Sequence, residues 1–329
     1  MTQNREQIID DGALRFDDTP QIRTINHPDW FKVGFLDLRE DLSEAINSGK
    51  SALAVYFGQE NCAYCKALME VNFTLTDVVD YTRKNFDVVA IDIWGAAEMV
   101  NIDGVELTEH EFSIANETNF TPSFLFYDAN GELVFRLRGY YPPYRFRAAL
   151  EYVADGHYRD ESFRSYLERA HPPPKFDLEE LNEEIFFDSP PFFLDRSRFP
   201  ASKPLVVFFE QRNCHACDVL HSDPLSDEST RTMLEFMQVV QLDMWSDTPV
   251  LTPTGDRLTA RQWAEQLDIS YAPTLVFFDE RGREIIRIGS VVQQYRLGRV
   301  LQYVAESGYK SGLNYQQWHG LRSATPGTS

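Results

Sequence analysis

The 329-residue chain is short of positive charge, of cysteine and of long apolar runs, and each shortage closes off a class of function. Against 51 Asp and Glu stand 31 Lys and Arg, a formal net charge of -20. A surface of that sign repels phosphate backbones and anionic membrane faces, which excludes nucleic acid as a main partner. The acidity reads first as a solubility device, and second as a field that steers basic or unfolded clients. No stretch approaches the roughly 20 apolar residues of a helical membrane span. Met1–Asp18 lacks the basic start and apolar core of a signal peptide, so the chain reads as cytosolic if Met1 is its native start. His27, His110, His157, His171, His221 and His319 show no metal-ligand spacing, and no metal or cofactor is expected. What remains is 43% hydrophobic residues, enough for two cores, and a length that suits two domains.

The four cysteines form two pairs, Cys62-Ala-Tyr-Cys65 and Cys214-His-Ala-Cys217. Each pair follows a short apolar run that reads as a buried strand, Leu53–Phe57 or Leu205–Phe209. Each precedes a segment of helical periodicity. A thiol at a helix start lies beside unpaired backbone N–H groups and the positive end of the helix dipole, which favour the thiolate. Cys62 and Cys214 are therefore the expected nucleophiles. Cys65 and Cys217, one turn on, are expected to resolve the mixed disulfide. A structural disulfide or half of a zinc site are the alternatives, and zinc suits the wide separation of the pairs poorly.

After an acidic lead-in over 1–25, helical spacing from Trp30 to Ser48 ends at Gly49, a helix-stopping residue. Thr76 is an N-cap candidate for a helix to Asn85, and 87–94 is a β-branched strand. Thr108 and Glu111 make a capping-box pattern for a helix to Asn116. Strands follow at 124–127 and 133–137, joined by the Asp128–Gly131 turn, and a helix runs from Pro143 to Ala154. The order then recurs at a spacing of 151 residues: Asp92 with Asp243, Trp94 with Trp245, Thr108 with Thr259, Pro122 with Pro273, Gly131 with Gly282. That is an internal duplication. The expected division is a first domain at 26–158, a linker at 159–184 containing His171-Pro-Pro-Pro174, a second domain at 185–311, and a polar tail at 312–329. A helix over 177–187 is expected to pack on the second copy. Trp94 and Trp245 read as packing residues. Gln59 and Gln211 either border a substrate groove or bond the loop backbone.

Strand, dithiol helix, strand, helix, X-Pro strand, hairpin strand, helix: this order resembles the thioredoxin fold over nearly the whole chain. The implied fold class is α/β, two tandem thioredoxin-like domains, each a central mixed sheet flanked by helices. More narrowly, Asp-Ile-Trp94, Asp-Met-Trp245 and Phe31-Lys-Val-Gly-Phe-Leu-Asp-Leu-Arg39 resemble the SoxW-type thioredoxins, a largely periplasmic group. That kinship tilts the compartment toward the periplasm with a signal removed. The resemblance implies cis prolines at Pro122 and Pro273, facing the dithiols. Thr121 and Ala272 before them would offer backbone to a substrate peptide. Ala63-Tyr64 and His215-Ala216 stand where thioredoxins carry Gly-Pro, and so tune potential and thiol acidity. A protonated His215 would stabilise the Cys214 thiolate; alternatively it is a solvated helix-start residue. The buried acid of thioredoxins, six residues before the first cysteine, is replaced by Tyr56 and Phe208, so another group or water is expected to move the proton.

The leading expectation is thus an enzyme, a thiol–disulfide oxidoreductase acting on protein disulfides or dithiols and served by an upstream electron donor. The alternatives are a binding module with structural or vestigial dithiols, and a carrier of zinc or copper(I).

Overall fold

The computed structural model describes residues 13–170 and 180–323. The chain divides into two units, Met1–Leu167 and Glu168–Ser329.

The first unit opens on α1 (Leu38–Asn47), which is shorter than the Trp30–Ser48 helix expected. The Asp37 carboxylate caps it by accepting from the N–H groups of Arg39 and Glu40. Ahead of that cap, Lys32 bridges to the sheet by donating its N–H to Val88 O at 2.8 Å. Phe31 is buried and Phe35 points to solvent. Gly49 then takes φ +81°, the left-handed conformation that ends the helix.

Next come β1 (Ala52–Gly58), α2 (Ala63–Glu70), α3 (Thr76–Asn85) and β2 (Phe86–Asp92). Thr76 lies inside α3, and the cap position falls on Leu75, which makes no side-chain capping bond. A small ladder of β3 (Glu98–Val100) and β4 (Glu106–Thr108) leads to α4 (Glu109–Ala115), whose Thr108–Glu111 capping box forms as expected. The unit closes with β5 (Ser123–Tyr127), β6 (Leu133–Arg138), α5 (Pro143–Ala154) and α6 (Phe163–Ala170). The main sheet has the order β2-β1-β5-β6, with β1 parallel to β2 and antiparallel to β5. Every residue of β1 is buried, as a central strand covered on both faces requires.

Helix α6 follows the domain end expected at 158; its Phe163, Tyr166 and Leu167 are buried, and Phe163 packs on Phe135 and Tyr152. His171–Pro174 lies outside the described residues. So does the start of the helix expected over 177–187, and its described part, 180–187, is not helical. Those residues still pack on the second unit, through Phe187 against Phe208 and Glu184 against His221.

In the second unit β7 (Phe192–Phe193) precedes β8 (Leu205–Glu210), α7 (His215–Ser222), α8 (Glu228–Leu234) and β9 (Gln238–Asp243). Then β10 (Pro249–Leu251), β11 (Arg257–Thr259), α9 (Ala260–Gln266), β12 (Thr274–Phe278), β13 (Glu284–Ile288) and α10 (Gln294–Ala305) repeat the first unit's order. The main sheet is β9-β8-β12-β13, with β8 parallel to β9 and antiparallel to β12. The polar tail expected from 312 instead carries α11 (Tyr315–Ser323). Tyr315 and Trp318 are buried there against Tyr303. Burying rings of that size stabilises by about 2 kcal/mol each, which is why a polar stretch holds a helix.

Candidate active site

Each dithiol sits where a buried central strand hands over to a helix. Asn61 and Asn213 turn the chain with φ +58° and +50°, a left-handed conformation that asparagine tolerates better than most residues. The next residue is the cysteine, and its sulfur is the helix cap. Cys62 Sγ accepts the N–H of Cys65 at 2.9 Å, and Cys214 Sγ accepts the N–H of Cys217 at 3.1 Å. Cys62–Cys65 and Cys214–Cys217 are disulfide-bonded, with S–S distances of 2.22 and 2.16 Å. Cys65 and Cys217 are 0% and 1% exposed, against 7% and 8% for Cys62 and Cys214, so the first cysteine of each pair is the more exposed.

The Thr121–Pro122 and Ala272–Pro273 peptides are cis, and both lie against the sulfurs. Thr121 O is 3.7 Å from Cys62 Sγ, and Ala272 O is 3.7 Å from Cys214 Sγ. Of the intervening residues, Ala63 and Tyr64 are buried, Ala216 is half-buried, and His215 opens α7 with an exposed side chain. No group of three or more potential metal-ligating residues is found among the described residues, and no helix there is long and apolar enough to cross a membrane.

Three features were not legible in the sequence. First, the part of the lead-in expected to be flexible that is described, residues 13–25, packs beside the first dithiol. Ala13 and Leu14 are buried, and Phe16 meets Tyr64 and Tyr140 edge-on. The buried Asp18 accepts from the Tyr64 hydroxyl at 2.7 Å, and Arg23 N–H donates to Asn61 Oδ1 at 2.8 Å. Beside it lies a cavity of about 520 Å³ lined by residues 22–25 and 58–61, with Asp92 and Glu109.

Second, the second unit does hold a buried acid, four residues before its dithiol rather than six. Glu210 is 0% exposed and accepts from His221 at 3.0 Å and from Gln241 at 3.0 Å. The corresponding residue of the first unit is Gly58. There the Tyr56 hydroxyl takes the space, since a side chain on Gly58 would begin 2.5 Å from it. Burial pushes the Tyr56 phenol far above its ordinary range, so it stays protonated. Third, Trp94 and Trp245 bond Gln59 and Gln211 through their indoles, at 2.8 and 3.0 Å, and so are more than packing residues.

A sulfur-capped helix opposite a cis proline, on a sheet of this order, defines the thioredoxin class of fold. The chain belongs to the family of the thioredoxin-like domain, whose model matches twice, at residues 38–154 and 200–305, more than half of the chain. Among solved structures it is similar to a thioredoxin-fold protein from Helicobacter pylori, with 21% identity over 37% of this chain and 84% of that one, TM-score 0.34. A thioredoxin from Thermus thermophilus matches at 25% identity over 36% and 84%, TM-score 0.29. The N-terminal domain of the alkylhydroperoxide reductase AhpF from Enterococcus faecalis matches at 11% identity over 80% and 97%, TM-score 0.25. No curated protein matches.

Proposed function

We propose that the chain is a thiol–disulfide oxidoreductase with two Cys-x-x-Cys sites acting on protein disulfides or dithiols. One observation carries the reading: in both units the first sulfur accepts the backbone N–H three residues on, at 2.9 and 3.1 Å. A bond of that kind, at the positive end of a helix, strengthens when the sulfur is ionised, and so favours the thiolate.

In the reducing direction the Cys62 or Cys214 thiolate forms a bond to one sulfur of the client disulfide, whose other sulfur leaves as a thiolate and takes a proton. Cys65 or Cys217, as thiolate, then attacks the first cysteine, and the second client sulfur departs. The client gains two electrons, and the enzyme is left with the disulfide seen here. A dithiol donor returns those electrons. The oxidising direction is the same sequence reversed, and the potential of each pair decides between them. Thr121-Pro122 and Ala272-Pro273 form the edge along which a client strand lies, offering backbone atoms beside the sulfur. Within the family, the Asp-x-Trp pairs support a SoxW-type reading. The catalytic domains are residues 26–158 and 185–311, the first extended by α6.

A thiol-trapping titration tests this. The protein is equilibrated in graded glutathione or dithiothreitol buffers, quenched with a heavy maleimide, and its labelled cysteines are counted in each unit. Both pairs should cycle at potentials between roughly -120 and -270 mV. A pair that stays oxidised below roughly -300 mV is a structural disulfide, and the reading fails for that unit.

A further inference from the structure

Trp94 and Trp245 are seated in the same way. Trp94 N–H donates to Asp92 Oδ1 at 3.0 Å, and Trp245 N–H to Asp243 Oδ1 at 2.9 Å. Trp94 is further held by stacking on His110, ring centres 5.3 Å apart. Each indole then donates to the glutamine three residues before the dithiol. An indole nitrogen can only donate, so the oxygen of the amide must face it and the NH2 end must face away. In the first unit that NH2 end meets Thr121 Oγ1 at 2.8 Å. With one lone pair of the hydroxyl engaged in this way, Cys62 Sγ lies 3.3 Å from the same oxygen, within reach of its proton. The disulfide sulfur carries no proton, so the hydroxyl is the donor.

The second unit keeps the Asp243–Trp245–Gln211 links, with Arg261 where His110 stands, but lacks the last one. The carbonyl before the cis proline stands 3.7 Å from the sulfur in both units, so the two frames correspond. Yet Ala272 occupies the place of Thr121 and has no hydroxyl for Gln211 to orient.

We propose that Gln59, held by Trp94, is a positioning residue that aims the Thr121 hydroxyl at Cys62 Sγ and stabilises its thiolate, and that Ala272 sets the second dithiol apart by omitting that donor. The inference rests on the oxidoreductase reading, in which Cys62 is the attacking sulfur. A hydrogen bond to an ionised acceptor is the stronger kind, and a chain of donors polarises the last one further. Its loss should lower the thiolate fraction about tenfold, a rise of about one pH unit in the titration midpoint.

The test is alkylation of the dithiothreitol-reduced full chain by iodoacetamide across pH, with Cys62 and Cys214 followed as separate peptides by mass spectrometry. The ionisable groups near Cys62, namely Cys65, Tyr64 and Asp18, with Arg23 beside Asn61 and His27, Glu60, Asp92 and Glu109 on the neighbouring cavity, are left unaltered in every variant. Thr121→Val and Gln59→Leu should each raise the Cys62 midpoint by about one unit while Cys214 stays put, and Thr121→Ser should restore it. Ala272→Thr supplies the missing donor and should lower the Cys214 midpoint by a similar amount. Midpoints for Cys62 that stay within about 0.3 unit of the parent in Thr121→Val and Gln59→Leu would overturn the inference and leave the oxidoreductase reading standing. A parent Cys62 that titrates like an ordinary thiol near about 8.5 overturns both.

Discussion

The buried Glu210–His221 pair should hold the second unit together, and its cost on breaking follows from the geometry. His221 Nε2 lies 3.0 and 3.2 Å from the two oxygens of Glu210, and its Nδ1 lies 3.3 Å from Glu184 Oε1. A neutral imidazole has one N–H, so bonding two carboxylates through both nitrogens requires the imidazolium. Burial works against that charge, but the bonds and charges of Glu210 and Glu184 outweigh it, and the net effect raises the pKa of His221. His221→Ala leaves a fully buried carboxylate with the Gln241 amide at 3.0 Å in place of a cation. Removing one partner of such a pair costs about 3–5 kcal/mol. At about 1.4 kcal/mol per decade, opening of the surrounding strands should rise by roughly two to three and a half decades. Replacing both residues, Glu210→Leu with His221→Leu, removes charge and counter-charge together and should cost far less.

Native-state hydrogen exchange on the full chain reads this directly, with β8 and β9 as reporters and β1 and β2 of the first unit as controls. The sign of the pH dependence is also set. A folded pKa raised above the unfolded value gives stability that is complete below about 6.5 and is lost as pH rises through the folded pKa. Protection of β8 should therefore fall on that alkaline side in the parent and be flat in the double variant. Less than tenfold faster exchange in His221→Ala, or equal damage in the double variant, would refute the reasoning.

Two further outcomes follow from other contacts. Asp18→Ala removes the acceptor of the Tyr64 hydroxyl and loosens residues 13–25 beside the first dithiol; at about 1 kcal/mol for the bond, alkylation of reduced Cys62 should quicken about fivefold, with Cys214 unchanged. Thr108→Ala and Thr259→Ala each delete a capping box and should lower stability by about 1 kcal/mol, read as a lower urea midpoint for the unit that carries the change.

The parts of this fold that depend on neighbours in sequence were legible without coordinates. Leu53–Phe57 and Leu205–Phe209 announce buried strands by composition, Thr108-x-x-Glu111 announces a helix start, and the 151-residue repeat announces the second unit. What escaped depends on partners distant in the chain. Trp30–Gly34 has helical spacing, but the Lys32 backbone bonds Val88 and the helix waits for the Asp37 cap. Residues 312–323 look polar, and their helix stands on Tyr315 and Trp318 meeting Tyr303. Glu210 lies outside the six-residue spacing that points to Phe208; it stands two residues on, at the end of the same strand and on the same side of the sheet. The dithiols and the X-Pro pairs are local motifs and so are legible in the sequence. The Trp94–Gln59–Thr121 chain is not, since no periodicity links residues 35 and 62 apart in sequence.

The most direct test of the proposed chemistry is to trap its intermediate. In Cys65→Ser and Cys217→Ser variants the attacking cysteine remains and the resolving one is gone, so a mixed disulfide with a disulfide-bonded client protein should accumulate. Peptide mapping is expected to find the client joined to Cys62 in the first variant and to Cys214 in the second, with both adducts released by dithiothreitol. No adduct at either cysteine, under conditions where both thiols are shown to be reduced, would contradict the assignment of these sulfurs as nucleophiles.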